Sequence, residues 1–491
     1  MPSTDPTTLK KSNGFDYASY KGYDENGELP AKRVKGNKKI ILNAFVMFTP
    51  NHLNFGLWRH PEHSDYARNF ARMKPWQDLA RKLEAAKFHA VFVADHLGIY
   101  DIYKGGEDFV ALEKKVQFPV HDPLFLVPTM AAVTEHLNFG ITVSTTYTPP
   151  FTLARQFSTL DHLTDGRVGW NIVTSNSDSA AHNYSREHQV PHDDRYKLAD
   201  EYMDVVYKLW ESSWGEDAVK KGLKTDTFDT TKINYIDHEG EHFKVKGPAV
   251  TLPSLQRTPV LFQAGMSSAG RSFAAKHAET VFVSAPSPQL VRQTVDALRA
   301  AAGDRQIFVV CTLLVIVKET QEEAERYYKE LNDAADKEGA LVFCSQMFGA
   351  DLTTFPSDQD LRKGDHPGVA RGVDLWASQT DTKDELWNVD RVSKEYTLSG
   401  RGGLALGDAK TAADVIDDWV EIGDVDGFNL SHAAFPGTYD DIIEYLIPEL
   451  QARGRFHEDY PEGENTFREL LYDTPGNPYL RQNHYGHSFK T

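Results

Sequence analysis

Short apolar runs alternate along this chain with segments whose apolar side chains return every three or four positions. The runs fall at 39–45 (KIILNAF), 89–95 (HAVFVAD), 138–147, 167–175, 260–265, 280–285, 307–317 (IFVVCTLLVIV) and 427–432. They are bounded by polar or glycine-containing stretches and rich in β-branched and aromatic residues, so they predict buried strands. Between them, helical spacing is found near Trp76–Ala86 and at 129–136, 151–163, 194–214, 269–278, 288–303, 320–335, 412–423 and 438–450. Near-continuous apolar strands separated by amphipathic helices predict parallel strands covered by helices. Eight such units favour a closed (β/α)8 TIM barrel in the α/β class over an open doubly wound sheet. No G-x-G-x-x-G turn follows an early strand, which further weakens the open-sheet alternative.

Three stretches break the repeat: 48–72, 215–257 and 336–406. In a barrel they become excursions, and those that leave the C-terminal ends of strands cover the mouth. The expected organisation is an N-terminal arm over 1–37, one barrel over 38–457 and a C-terminal tail over 458–491. The length of 491 residues would otherwise suggest about three domains.

Composition narrows the function classes. Lys+Arg 53 against Asp+Glu 71 gives a formal charge of −18, and no Lys/Arg run exceeds two residues, so nucleic-acid binding is not expected. Two cysteines cannot form a disulfide framework, and no apolar stretch reaches the ~20 residues that span a bilayer. With no apolar leader in the first residues, a cytoplasmic protein without membrane attachment is expected.

In a barrel the chemistry sits at strand C-termini. Those positions hold hydroxyls, amides and histidines, and lack the spacing of a metal site. The segment 260–278 (VLFQAGMSSAGRSFAAKHA) ends a strand in Gly265 and opens a helix after Ser267 and Ser268. That is either an ordinary N-cap or a phosphate cradle built from free N–H groups and the helix dipole. Arg195 and Tyr196 fall in the first turn of the helix that 192–202 (HDDRYKLADEY) opens. A cation there either invites an anion or pairs with Asp193 or Asp194. Asp95 ends an otherwise apolar strand, as a cap or as a hydrogen-bond acceptor for a heterocycle. Phe45, Phe48, Phe55, Trp58, Tyr100, Tyr103 and Tyr147 near the mouth suit a planar or apolar ligand, or simply core packing.

Seven segments together carry a family resemblance: 43–61 (NAFVMFTPNHLNFGLWRHP), 92–105 (FVADHLGIYDIYKG), 117–147, 154–175, 192–214, 256–279 and 426–454. Over about 39–457 they resemble the bacterial-luciferase-like flavin-dependent monooxygenases, in the branch of nitrilotriacetate, dibenzothiophene sulfone and long-chain alkane monooxygenases. The resemblance implies a TIM barrel that uses FMN as FMNH2, delivered by a separate NAD(P)H-dependent flavin reductase. It implies that O2 is activated through a C4a-(hydro)peroxyflavin, one oxygen atom entering a small organic substrate and the other leaving as water. It also implies a homo-oligomer.

By the same resemblance, the cofactor-binding positions are Asp95, Thr145, Ser175, Tyr196, Ser267 and Ser268. By it the catalytic positions are His52 and Tyr100, with no metal; His96, which departs from the family pattern, is a third catalytic candidate that either replaces a proton-handling group lost at Asn176 or alters the shape of the pocket. His52 would hydrogen-bond the activated oxygen or move its proton. Two departures from the family pattern stand out: Asn176 occupies a position that is histidine in the alkane enzyme, and Asp-His-Leu-Gly replaces Asp-Val-Val-Gly or Asp-Val-Leu-Gly after the second strand. The alternatives are an F420-dependent oxidoreductase on the same barrel, and a non-catalytic flavin-binding relative.

Overall fold

The computed structural model describes residues 38–220, 227–265, 267–378, 383–398, 402–463 and 466–490. The arm expected over 1–37 lies outside them. Nine parallel strands form the main sheet: β1 (Ile41–Met47), β2 (Ala90–Ala94), β3 (Asn138–Ser144), β4 (Val168–Val173), β5 (Val260–Gln263), β6 (Thr280–Val283), β7 (Phe308–Val317), β8 (Gly403–Gly407) and β9 (Gly427–Ser431). Eight of them close a ring in the order β1-β2-β3-β4-β5-β6-β7-β9, with β9 returning to β1 through Asn43↔Asn429. The eight strands of the ring are the eight apolar runs. The ring is closed, so the open doubly wound sheet is excluded.

β8 lies outside the ring, within the excursion expected over 336–406. The ten residues of β7 are long enough to pair with β6 over Phe308–Cys311, and with β8 over Leu313–Val317 beyond the end of β6. The barrel interior is filled by aromatic rings. Phe45 meets Phe92 at 5.8 Å and Phe282 at 5.1 Å, and Phe92 meets Phe262 at 5.4 Å. Gly140 and Gly169 make room for them, since a Cβ there would lie 2.9 Å from the Phe92 ring and 2.7 Å from the Phe262 ring.

The outer layer is α1 (Met73–Ala85), α2 (Pro123–Ala131), α3 (Pro150–Leu163), α4 (His192–Tyr207), α5 (Ser268–His277), α6 (Pro288–Ala302), α7 (Gln321–Ala334) and, beyond the 336–406 excursion, α9 (Ala409–Glu421). A helical stretch over 437–452 follows β9 and contains a π-helical turn; α4 runs on into a second one over Lys208–Ser212. α2 starts six residues earlier than expected, because the Asp122 carboxylate caps Leu124 N–H and Pro123 sits at the first helical position. Its apolar run (LFLV) shows no polar face from which a period could be read.

α8 (Lys337–Phe348) crosses the mouth, where Phe343 meets Phe55 at 5.1 Å and Asp336 N–H donates to the Phe55 carbonyl at 2.9 Å. At the opposite end, α10 (Phe467–Tyr472) closes the barrel floor. Its Arg468 is fully buried and bonds Glu279 at 2.7 and 2.9 Å. No helix among the described residues is long and apolar enough to cross a membrane.

Candidate functional site

The C-terminal ends of β2, β4 and β5 enclose a cleft of about 300 Å³. The loop after β2 supplies Asp95, His96 and Leu97, and the loop after β4 supplies Thr174 to Ser177. These two loops are pressed together: a Cβ at Gly98 would lie 2.3 Å from the Ala180 nitrogen. Ser175 takes a positive φ of 52° and donates from Oγ to Ser144 Oγ at 2.9 Å, tying the ends of β3 and β4.

The first turn of α4 contributes His192, Arg195 and Tyr196, and β5 contributes Gln263, Ala264 and Gly265. Asp193 pairs with His192 at 2.7 Å and Asp194 with Lys197 at 2.8 Å, so the surface pairing considered for Arg195 does not form. Arg195 is instead buried against Gln189, with its Nε unpartnered, and Gln263 Oε1 is likewise buried without a partner. The turn into α5 is tight. A Cβ at Gly265 would fall 2.2 Å from Gln263 Nε2 and 2.5 Å from Tyr196 Oη, and one at Gly270 2.8 Å from the same hydroxyl. Ser267 Oγ accepts from Gly270 N–H at 3.0 Å as the helix cap, and Ser268 is the first residue of α5. The N-termini of α4 and α5 thus meet beside one cleft that Arg195 also lines, where helix dipoles and free N–H groups favour an anion.

Burial and the nearby Asp122 push the Asp95 carboxyl up to about 8, against the His96 backbone N–H. Burial pushes His96 down to about 4, with Gln117 opposing. His96 Nε2 lies 2.9 Å from Tyr100 Oη, which in turn donates to Gln117 Oε1. With that donor spent on Gln117, His96 must supply the proton of its bond to Tyr100, which leaves Nδ1 as the bare nitrogen. Burial raises the Tyr100 phenol well above its ordinary range.

His52 lies off the cleft walls, 2% exposed, with Phe45 edge-on at 4.6 Å and the His432 ring at 6.1 Å. Burial first, then His96, pushes it down to about 3, against the Phe45 carbonyl. His63, next in this row, is satisfied on both nitrogens by the Pro50 carbonyl and Phe435 N–H, which marks it as structural.

The cleft therefore brings together Asp95, His96, Ser175 and Tyr196, with Ser267 and Ser268 opening the adjoining helix. Thr145 stands apart: its hydroxyl donates to the Val173 carbonyl at 3.3 Å, and it lines the neighbouring groove with Arg186 and His242. Gln263 and Gln117 were not picked out from the sequence. Gln263 ends an apolar strand just as Asp95 does, a signal that was there to be read. Gln117 reaches Tyr100 only through a loop conformation (φ 61°) that no local pattern announces. Of the mouth aromatics, Phe45 and Phe55 pack within the protein, and Tyr103 donates to Glu338 at 3.0 Å. No group of three His, Cys, Asp or Glu suited to a metal ion occurs among the described residues.

Comparison with known proteins identifies the family and the fold. Residues 51–425 match the family described as luciferase-like monooxygenase. The dimethyl-sulfide monooxygenase of Hyphomicrobium sulfonivorans is 41% identical over 87% of this chain and 89% of its own. The solved structure of DmoA from that organism superposes with a TM-score of 0.85, covering 92% of this chain and 96% of the other. The long-chain alkane monooxygenase of Geobacillus thermodenitrificans is 40% identical over 91% and 97% of the two chains. A riboflavin lyase solved with a modified FMN and riboflavin superposes with a TM-score of 0.83 at 30% identity, over 92% and 100%.

Proposed function

The chain belongs to the luciferase-like monooxygenase family and is a flavin-dependent monooxygenase; from that premise we propose that it is the oxygenase of a two-component system, receiving FMNH2 from a separate NAD(P)H-dependent flavin reductase. Reduced FMN, when bound, supplies the activation of O2, so that one oxygen atom enters a small organic substrate and the other leaves as water. The observation that carries the reading is the cleft between the N-termini of α4 and α5, where Arg195 Nε and Gln263 Oε1 are buried without partners. A phosphate and a heterocycle would satisfy these two atoms.

In this assignment Arg195, Tyr196, Ser267 and Ser268 hold the phosphate, and Asp95 and Ser175 hold the ring. Thr145 braces the end of β4 through Val173. His96, fixed by Tyr100 and Gln117, presents an uncharged imidazole to the cleft, and His52, also uncharged at neutral pH, offers a single hydrogen-bonding nitrogen. Neutral imidazoles in a dry site can hold or pass one proton without adding charge.

Anaerobic calorimetric titration with FMNH2 tests the site. One equivalent is expected to bind, and Arg195→Leu is expected to weaken binding by about tenfold, the loss of one charge-assisted bond. Unchanged affinity in the variant would remove Arg195 from the phosphate site, and no binding to the parent protein would sink the reading.

A further inference from the structure

The end of the barrel opposite the cleft holds a second cavity, of about 680 Å³. One wall is the turn between α6 and β7, Asp304 to Gln306, and the rest is Tyr472 at the end of α10 and the tail from Asn477 to Lys490. The lining carries three permanently cationic side chains, Arg305, Arg481 and Lys490, against a single carboxylate, Asp304. His484 is satisfied on both ring nitrogens, by the His277 carbonyl and Gly486 N–H, and serves to seat the tail.

Lys490 pairs with Glu216 at 2.6 Å, but neither guanidinium pairs with a carboxylate among the described residues. Arg305 donates to the carbonyls of Ala275 and Ala278, the latter at 2.7 Å, at the C-terminus of α5. Arg481 donates to Thr474 Oγ1 at 2.9 Å and lies over the Tyr472 ring at 4.4 Å. A guanidinium has five N–H donors, so most of the donors on both side chains are left over. Both charges act on the Tyr472 phenol, so they converge on one side of the cavity although one comes from the α6–β7 turn and the other from the tail. The chain has 71 acidic and 53 basic residues, and with acids in excess two converging guanidiniums without a carboxylate call for an anion from outside the protein.

We propose that this floor cavity binds a small organic anion, with its phosphate or carboxylate head on Arg305 and Arg481 and its body against Tyr472 and Tyr479. The planar fork of a guanidinium matches the paired oxygens of either head. The volume is that of a small-molecule site, which leaves room for a body beyond the head, and Leu480 extends the apolar wall that the two tyrosines offer it. Such a ligand bridges the α6–β7 turn and the tail, and so fastens 477–490 to the barrel. The site is separate from the cleft and does not depend on the flavin reading.

Four probes separate the head from the body: phenyl phosphate, benzoate, phenol and inorganic phosphate, each titrated calorimetrically into the full chain without flavin at constant ionic strength. Phenyl phosphate or benzoate is expected to bind at least about tenfold more tightly than phenol, which lacks the charge, and than inorganic phosphate, which lacks the ring. The tighter of the two identifies the head. That binding is expected to be lost in Arg481→Gln and kept in Arg195→Leu, and amide exchange over 477–490 is expected to slow when the probe is bound. Arg481→Lys, which retains the charge without the fork, should fall between the parent and Arg481→Gln, and the urea midpoint of each variant reports whether the barrel is intact. No binding of either aromatic anion, equal binding of phenol, or affinity unchanged in Arg481→Gln would overturn the proposal. Binding lost in Arg195→Leu and kept in Arg481→Gln would place the anion in the cleft and equally overturn it.

Discussion

Asp95 shows how a single side chain joins sequence to function. A carboxyl ending an apolar strand, its proton affinity raised to about 8 by burial and Asp122, is protonated and uncharged at neutral pH. It can then both donate to and accept from a heterocycle. Because the folded value lies above the unfolded one, ionisation costs stability progressively as pH rises from about 4 towards 8. Above 8 it also places a negative charge beside the cleft proposed for an anionic cofactor. FMN affinity is therefore expected to fall about tenfold between pH 7 and 9. Asp95→Asn should flatten that dependence, as read by flavin-fluorescence titration; a parallel fall in the variant would assign the titration elsewhere. That Asp95 and Tyr196 would line one cleft was legible because polar residues at the ends of buried strands and in the first turns of helices stand out locally, while Ser175 came from the family resemblance. The unpartnered Nε of Arg195 was not, because it depends on Gln189 and the cleft rather than on its neighbours Asp193 and Asp194.

At the scale of elements, the eight strands of the ring were legible because each is a near-continuous apolar run covered on both faces. β8 was not: five residues (GLALG) carry too little pattern, and they form a strand only because β7 extends beyond β6. α10 was equally hidden within a polar tail. It holds the barrel floor through Arg468, which also donates to the Pro259 and Pro478 carbonyls and whose Glu279 partner accepts from Leu261 N–H. Arg468→Met would leave that carboxylate buried without its counter-charge. A loss of about 3–5 kcal/mol is expected in chemical denaturation, the cost typical of breaking a buried pair. A loss below ~1 kcal/mol would mean that solvent reaches the floor.

For the molecule as a whole, buried imidazoles set the acid limit. Burial pushes His52 and His484 down to about 3 and His63 and His96 to about 4. The same imidazoles titrate near 6.5 once unfolded, so between those values the unfolded chain binds more protons. Stability is full above about 6.5 and falls as pH drops, by about 2 kcal/mol per imidazole at pH 5. Four of them approach the whole stability of an ordinary domain, about 5–15 kcal/mol, with Asp95 offsetting part of the loss. The urea midpoint is expected to decline slightly from pH 7 to 8 as Asp95 ionises and to fall steeply from 6.5 to 5; a flat profile down to 4.5 would contradict the buried-histidine account. The central claim, that this barrel uses reduced FMN to place one atom of O2 in an organic substrate, is tested most directly with ¹⁸O2. The protein is supplied with FMNH2 by a separate reductase and given sulfones, sulfides, alkanes and amides, and each product is analysed by mass spectrometry. One ¹⁸O atom per product molecule, with the other atom in water, is the expected result; quantitative H2O2 with no labelled product from any class would contradict it.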